Sequence, residues 1–301
     1  MTSGVPYAEV IGDPVGHSKS PLIHGFWLEK LGLAGDYRAT RVERGDLAAF
    51  LAERRRDPLW RGCNVTMPLK EAALPLATRV SEEARLVRAT NCLVPAGGGE
   101  LLAHNTDVDG FREALRSGGA LQEPCAGHVA TLFSLIGTGG AARAALAELK
   151  GAEVTVFGRD EAKAAALSDE FGPGSEIGFA SPLDALMAAP STFDPAFPDC
   201  KPNRGEHQRY DHVVVNATSL GMRGCPPLPI RLDRYPANTV VIDMVYDPLD
   251  TDLLKEARRL GMIAVDGLVM LIGQAARAFE LFYGRPAPRQ HDSELRALLT
   301  A

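Results

Sequence analysis

Between residues 137 and 142 the chain reads G-T-G-G-A-A, directly after a nearly continuous apolar run at 129–136 (V-A-T-L-F-S-L-I). The pattern fits G-x-G-x-x-G/A, with Ala142 in the last position. Each small residue has a task in holding a pyrophosphate. Gly137 permits a tight turn, Gly139 lets backbone approach the phosphates, and Ala142 lets a helix pack closely on a strand. The free N–H groups of that helix then face the anion. In a chain with 30 glycines the pattern alone is weak. A strand before it, a helix after it and a second strand at 153–157 (E-V-T-V-F) make dinucleotide binding the reading here, over a purely structural turn.

The end of the second strand bears on which dinucleotide. NAD binders usually carry an acidic residue about 20 positions beyond the motif, on the ribose hydroxyls. Here the segment is F-G-R-D-E-A-K, placing Gly158 and Arg159 at that point and Lys163 one helical turn on. Arg159 can stack on adenine and pair with a 2′-phosphate, and Lys163 adds charge, which favours NADP over NAD. Asp160 would oppose the phosphate unless it caps the following helix, the reading preferred here.

Reducing a ketone by hydride transfer leaves negative charge on its oxygen, so a proton donor must stand nearby. Lys70 is the first candidate. It lies in G-C-N-V-T-M-P-L-K just past a strand end, where ligands gather in α/β sheets. The chain has seven lysines against 25 arginines, and lysine can release a proton where arginine cannot. Asp107, in H-N-T-D-V-D-G-F, is the second; alone it would read as a helix N-cap, but beside Lys70 it could hold the ammonium. Ser18 and Ser20, in G-H-S-K-S-P-L-I-H, put two hydroxyls near a helix start, suited to a carboxylate; Ser20 also reads as the N-cap, with Pro21 first in the helix. Asn64, Thr66 and Asn91 sit at strand ends, where polar groups can meet substrate hydroxyls.

The elements that must hold these residues alternate strand and helix. In the first half, strands are expected at 8–12, 36–42, 61–65, 91–94 and 101–105, the last two around Gly97-Gly98-Gly99. Helices are expected from Ser20 to a Gly32 cap, at 46–56, at 82–88 and from Asp109 to Ser117. Residues 117–127 read as a linker. Beyond it, strands at 129–136, 153–157, 176–180, 211–216, 239–243 and 262–265 alternate with helices at 140–150, 160–171, 182–188, 251–260 and 268–284. That alternation predicts a parallel sheet covered on both faces. Residues 190–209, with four prolines, read as a surface insertion. Arg54-Arg55-Arg56 reads as the solvated end of a helix.

At 301 residues the chain is long enough for two domains. A net charge of -6 argues against nucleic acid and a polybasic membrane anchor, and no apolar run reaches membrane-spanning length. Five widely spaced cysteines without C-x-x-C, and an N-terminus without a signal pattern, suit a reduced, cytoplasmic protein. No metal site is expected; His207 and His212 lie between Cys200 and Cys225 without standard ligand spacing.

Taken together, G-H-S-K-S-P, N-V-T-M-P-L-K, A-T-N-C-L, N-T-D-V-D-G-F, G-T-G-G-A-A, N-A-T-S-L-G-M, D-M-V-Y-D-P and D-G-L-V-M-L-I-G-Q occur in the order found in shikimate dehydrogenases. The chain resembles that family from about residue 8 to 284. The resemblance implies an α/β protein of two domains. Residues 1–107, completed by helices in 268–301, would form a three-layer substrate domain with a mainly parallel sheet. Residues 108–267 would form a Rossmann-like NADP-binding domain, with the active site in a cleft between the two. It implies NADP(H)-dependent reduction of 3-dehydroshikimate to shikimate, a step of aromatic amino-acid biosynthesis, by a monomer or homodimer.

Lys70 and Asp107 would be the catalytic pair. Ser18 and Ser20, with Tyr246, would hold the substrate carboxylate. Asn64, Thr66, Lys70, Asn91, Asp107 and Gln274 would meet the ring hydroxyls. Gly137, Gly139, Gly140 and Ala141 would cradle the pyrophosphate, with Arg159 and Lys163 at the 2′-phosphate. Asn216, Thr218, Ser219, Met222, Val245 and Gly267 would line the nicotinamide side. The chain departs from the family's usual pattern in R-A-T-N-C at 88–92, in G-R-D at 158–160, and in the length of 190–209. These leave open a related dehydrogenase of quinate or aminoshikimate, or one using NAD. A non-catalytic dinucleotide sensor is the remoter alternative, against which both Lys70 and Asp107 count.

Overall fold

The computed structural model describes residues 4–120, 131–171, 180–182 and 212–301. The chain divides into two compact units, Met1–Gly110 with Leu271–Ala301, and Phe111–Met270.

In the first unit, β1 (Tyr7–Gly12), β2 (Asp36–Arg41) and β3 (Trp60–Val65) pair in parallel, with β1 in the middle. Next to β3 runs β5 (Cys92–Ala96), antiparallel, followed by antiparallel β6 (Glu100–His104) and a short parallel β4 (Arg79–Val80). The β5–β6 reversal is tight because Gly98 and Gly99 take φ of 63° and 79°, a region open to glycine. Side chains alternate across β1. Tyr7 and Ile11 join a core with Leu47 and Leu51 of α2 (Leu47–Arg54), while Ala8 and Val10 pack with Ala278 and Phe282 of α9 (Gly267–Tyr283). The sheet is therefore buried on both faces, and each fully buried Leu or Ile contributes roughly 1.5–3 kcal/mol.

The second unit holds an all-parallel sheet in the order β12-β11-β10-β7-β8-β9. Its strands are β7 (Leu132–Ile136), β8 (Glu153–Gly158), β9 (Ala180–Pro182), β10 (His212–Asn216), β11 (Val240–Asp243) and β12 (Ile263–Val265). This is the doubly wound order of dinucleotide-binding folds, with its switch point between β7 and β10. Phe133, Leu135 and Val156 pack on one face with α5 (Asp107–Ser117) and α6 (Gly140–Glu148); Ile136, Val214 and Val241 pack on the other with α8 (Asp252–Arg259).

Several local expectations need correction. Ser20 is the first residue of α1 (Ser20–Lys30) and Lys19 its cap residue, with no side-chain capping bond; the Ser18 hydroxyl accepts from the Ser20 N–H instead, at 3.3 Å. Helix α5 begins at Asp107, two residues before the expected start. Arg54 is not solvated: its guanidinium donates to Glu9 at 2.8 Å, a carboxylate fully buried in β1, and covers the Phe50 ring. Pro182 ends a strand and does not begin a helix. Helix α4 (Glu82–Val87) falls within the expected 82–88, with Arg88 as its αL cap, and α10 (Asp292–Thr300) is one of the helices expected in 268–301, whereas the single turn α3 (Lys70–Ala73) is not among the expected elements. Helix α7 (Glu161–Phe171) falls within the expected 160–171. The linker from 121, the insertion at 190–209, the rest of 183–188, strand residues 176–179, Cys125, Cys200 and His207 lie outside the described residues.

Candidate active site

The first unit brings Asn64, Lys70, Asn91 and Asp107 into one hydrogen-bonded array. Leu69, fully buried, anchors the turn after β3 by donating its N–H to the Thr66 carbonyl at 2.9 Å, and Lys70 then opens α3. At the far end of β6, the Asn105 carboxamide accepts the Asp107 N–H at 3.2 Å and starts α5. Asn105 therefore performs the local turn, and the Asp107 carboxylate is released from capping. Lys70 Nζ donates to Asp107 Oδ2 at 2.5 Å. Asn91 Nδ2 donates to Asp107 Oδ1 at 2.8 Å, so both carboxylate oxygens are held.

A second layer fixes those groups. Asn91 Oδ1 accepts the Thr106 N–H at 2.7 Å, and the Thr90 N–H donates to the Lys70 carbonyl at 2.9 Å. Thr106 Oγ1 lies 3.5 Å from Gln274 Oε1, at the limit of a hydrogen bond. Tyr37 donates its hydroxyl to Asn64 Oδ1 at 2.6 Å, and Asn64 Nδ2 donates to the Asn91 carbonyl at 3.1 Å. Burial pushes the Tyr37 phenol well above its usual range, so it remains a donor. The Thr66 hydroxyl has no partner among the described residues. The Lys70 and Asp107 side chains are 28% and 13% exposed, so a solute can reach them. An ammonium with one proton spent on a fixed carboxylate has others to offer a substrate oxygen, and can release one.

The second unit holds a cavity of about 670 Å³ around its glycine-rich turn. Gly137, Gly139, Gly158, Arg159, Lys163, Thr218 and Ser219 line it. Gly137 has φ 125°, and a Cβ there would lie 2.8 Å from the Ala217 carbonyl oxygen, so only glycine fits. Helix α6 follows with Gly139 as cap residue and no side-chain cap, leaving its first N–H groups for a ligand. Asp160 caps α7: its Oδ1 accepts the Lys163 N–H at 3.1 Å, and its Oδ2 lies 3.7 Å from Lys163 Nζ. A backbone cradle, a bare helix N-terminus and two cations in one cavity fit a phosphorylated dinucleotide. Among the described residues no cluster of metal-ligating side chains occurs.

Residues 10–93 match the family model described as the shikimate dehydrogenase substrate binding domain, and residues 267–292 that of the shikimate 5'-dehydrogenase C-terminal domain. The chain is 44% identical over 299 residues to the shikimate dehydrogenase (NADP(+)) of Sphingopyxis alaskensis, covering 98% of this chain and 97% of the relative. The chain belongs to the shikimate dehydrogenase family. A solved shikimate 5-dehydrogenase of Thermus thermophilus, in complex with NADP(H) and shikimate, is 35% identical, with a TM-score of 0.78 over 98% of this chain and 99% of that one. The quinate dehydrogenase of Corynebacterium glutamicum in complex with NAD is 28% identical, with a TM-score of 0.81 over 98% and 100%.

Within this family member, Ser18, Ser20, Asn64, Thr66, Lys70, Asn91, Asp107 and Gln274 all belong to the first unit, and the dinucleotide candidates to the second. Not every candidate reaches the cavity wall. Gly140 and Ala141 open α6 and do not line the cavity. Asn216 is fully buried; its amide donates to Asp243 Oδ1 at 2.9 Å and to the Leu220 carbonyl at 3.0 Å, and its Oδ1 accepts from Thr218. It shapes the loop that presents Thr218 and Ser219 instead of lining the cavity. Val245 is buried, its N–H donating to Asp243 Oδ1 at 3.1 Å. Gly267 is needed for space, since a Cβ there would lie 2.5 Å from the Val245 carbonyl oxygen. Met222 and Tyr246 are exposed. Tyr37, Asn105, Thr106 and Thr138 escaped the residue-level reading. Asn105 and Thr106 stand in the N-T-D motif and Thr138 in the glycine-rich turn, whereas Tyr37 carries no local signal.

Proposed function

We propose that the chain catalyses the reversible, NADP-dependent reduction of 3-dehydroshikimate to shikimate, in the pathway to aromatic amino acids. The observation that carries this reading is the Lys70–Asp107 contact of 2.5 Å, with the second carboxylate oxygen held by Asn91. Bound NADPH would supply the hydride to the ketone carbon. Lys70 would donate a proton to the developing alkoxide, and in the oxidative direction take it back. Asp107 would hold the ammonium in place and share the hydroxyl with it. Ser18 and Ser20, with Tyr246, would bind the substrate carboxylate. Asn64, Thr66, Asn91 and Gln274 would orient the ring hydroxyls.

In the other unit, Gly137, Gly139, Gly140 and Ala141 would hold the pyrophosphate and Arg159 with Lys163 the 2′-phosphate. Thr218, Ser219, Met222, Val245 and Gly267 would serve the nicotinamide side, with Asn216 setting their loop. The capping bond of Asp160 supports NADP, because a carboxylate spent on α7 and balanced by Lys163 is not turned against the phosphate. The domain boundaries proposed remain 1–107 with 268–301, and 108–267. A cytoplasmic monomer or homodimer, with no nucleic-acid or membrane partner, completes the reading.

Steady-state oxidation of shikimate and quinate, each with NADP and NAD, tests it. Shikimate with NADP should dominate kcat/KM. A preference for quinate or NAD would make the protein a related dehydrogenase. NADP binding without turnover on either substrate would point to another substrate or to a sensor.

A further inference from the structure

Gly158 ends β8 and lines the dinucleotide cavity, yet its backbone does not explain the glycine. Its φ is not among the positive values found at other glycines of the chain. Space explains it. A Cβ on Gly158 would lie 2.9 Å from Cγ2 of Thr138, a distance real Cβ atoms essentially never show. The next neighbours, Ala164 Cβ and the Asp160 carbonyl oxygen, would stand at an ordinary 3.4 Å. Of the atoms nearest to such a Cβ, the Thr138 methyl alone stands closer than ordinary contact.

Position 158 closes the second strand of the nucleotide fold, where NAD binders carry the acidic residue that grips the ribose hydroxyls. We infer that Thr138, in the glycine-rich turn, and Gly158 together set cofactor choice: the threonine methyl stands where the Cβ of an acidic side chain at 158 would have to lie. The loop is then read through Arg159 and Lys163, which suit a 2′-phosphate. Thr138 and Gly158 act as a coupled pair, and neither alone sets the preference. This inference rests on the dinucleotide-dependent activity proposed above and adds the pair that enforces its selectivity.

A double-mutant cycle tests it, using wild type, T138A, G158D and T138A/G158D. Dissociation constants for NADPH and NADH are read by fluorescence titration in the absence of substrate, with kcat/KM for shikimate oxidation as a second readout. G158D should lose NADPH affinity and gain little for NADH. T138A/G158D should bind NADH at least about tenfold more tightly than G158D does, while T138A alone changes NADH affinity less than about threefold. T138S/G158D, which removes the methyl and keeps the hydroxyl, should match T138A/G158D. If G158D does not fold, recovery of folding and of NADH binding in the double variants supports the pair equally. Equal NADH binding by G158D and both double variants, or folded double variants with no gain in NADH affinity, would overturn the inference. Absence of shikimate turnover in the wild type, with NADP or NAD, would instead count against the proposed activity.

Discussion

The Lys70 ammonium and the Asp107 carboxylate, 37 residues apart, meet at 2.5 Å because each stands at the first residue of a helix that follows a strand of the same sheet. Asn105 takes over the turn that Asp107 would otherwise cap, and Asn91 claims the carboxylate's other oxygen. Protein hydrogen bonds thus hold the carboxylate that faces the ammonium, which lowers the cost of ordering the pair.

Lys70→Ala would remove the proposed proton donor. Turnover should fall by about 100- to 10,000-fold, the usual worth of general acid–base catalysis, with a much smaller change in the KM for shikimate. Steady-state kinetics checks this, and an unchanged kcat would refute the assigned role.

Tyr37→Phe removes one buried hydrogen bond to Asn64 and leaves the ring. The bond is worth about 1 kcal/mol, so the KM for shikimate should rise roughly fivefold while the KM for NADP stays put. A shift in both constants together would point to general loosening of the fold.

Arg159→Ala should weaken NADP far more than NAD. Charge-assisted bonds contribute about 1.5–3 kcal/mol, so the KM for NADP should rise by about 10- to 100-fold. If NAD suffers equally, Arg159 serves the adenine and not the phosphate.

Burial lowers His24 to about 3 and His212 to about 4, from an ordinary 6.5. The unfolded chain takes up both protons as pH falls through 6.5, and the folded chain resists until near those lower values. Stability from this source is complete above pH 6.5 and declines as pH drops, with a slope approaching about 1.4 kcal/mol per pH unit per histidine. His24→Phe, which keeps an aromatic ring against Tyr37, should flatten the fall in unfolding midpoint between pH 6.5 and 4. Identical pH profiles for variant and wild type would contradict the neutral, buried state of His24.

The nucleotide fold was legible because its signals are local. An apolar run, a glycine-rich turn and a helix stand next to one another in the chain, and the spacing of later strands gave the parallel order. The same holds for Lys70 and Asp107, each just past a strand end. A task that depends on a distant neighbour leaves no such local signal. Arg54 looked like a solvated helix end because nothing local announces Glu9, buried on β1. Asn216 looked like a cofactor contact, yet Asp243 and Leu220 consume its amide.

Residue types and their spacing determined by themselves the fold class, the glycine-rich turn and the acid–base candidates, since these rest on periodicity and on backbone conformations only certain residues adopt. Tertiary structure alone decided which groups pair: Tyr37 with Asn64, Asn91 with Asp107, Thr138 against Gly158. A hydrogen bond or a steric exclusion depends on separations of a few tenths of an ångström between segments far apart in the chain, and packing sets those separations.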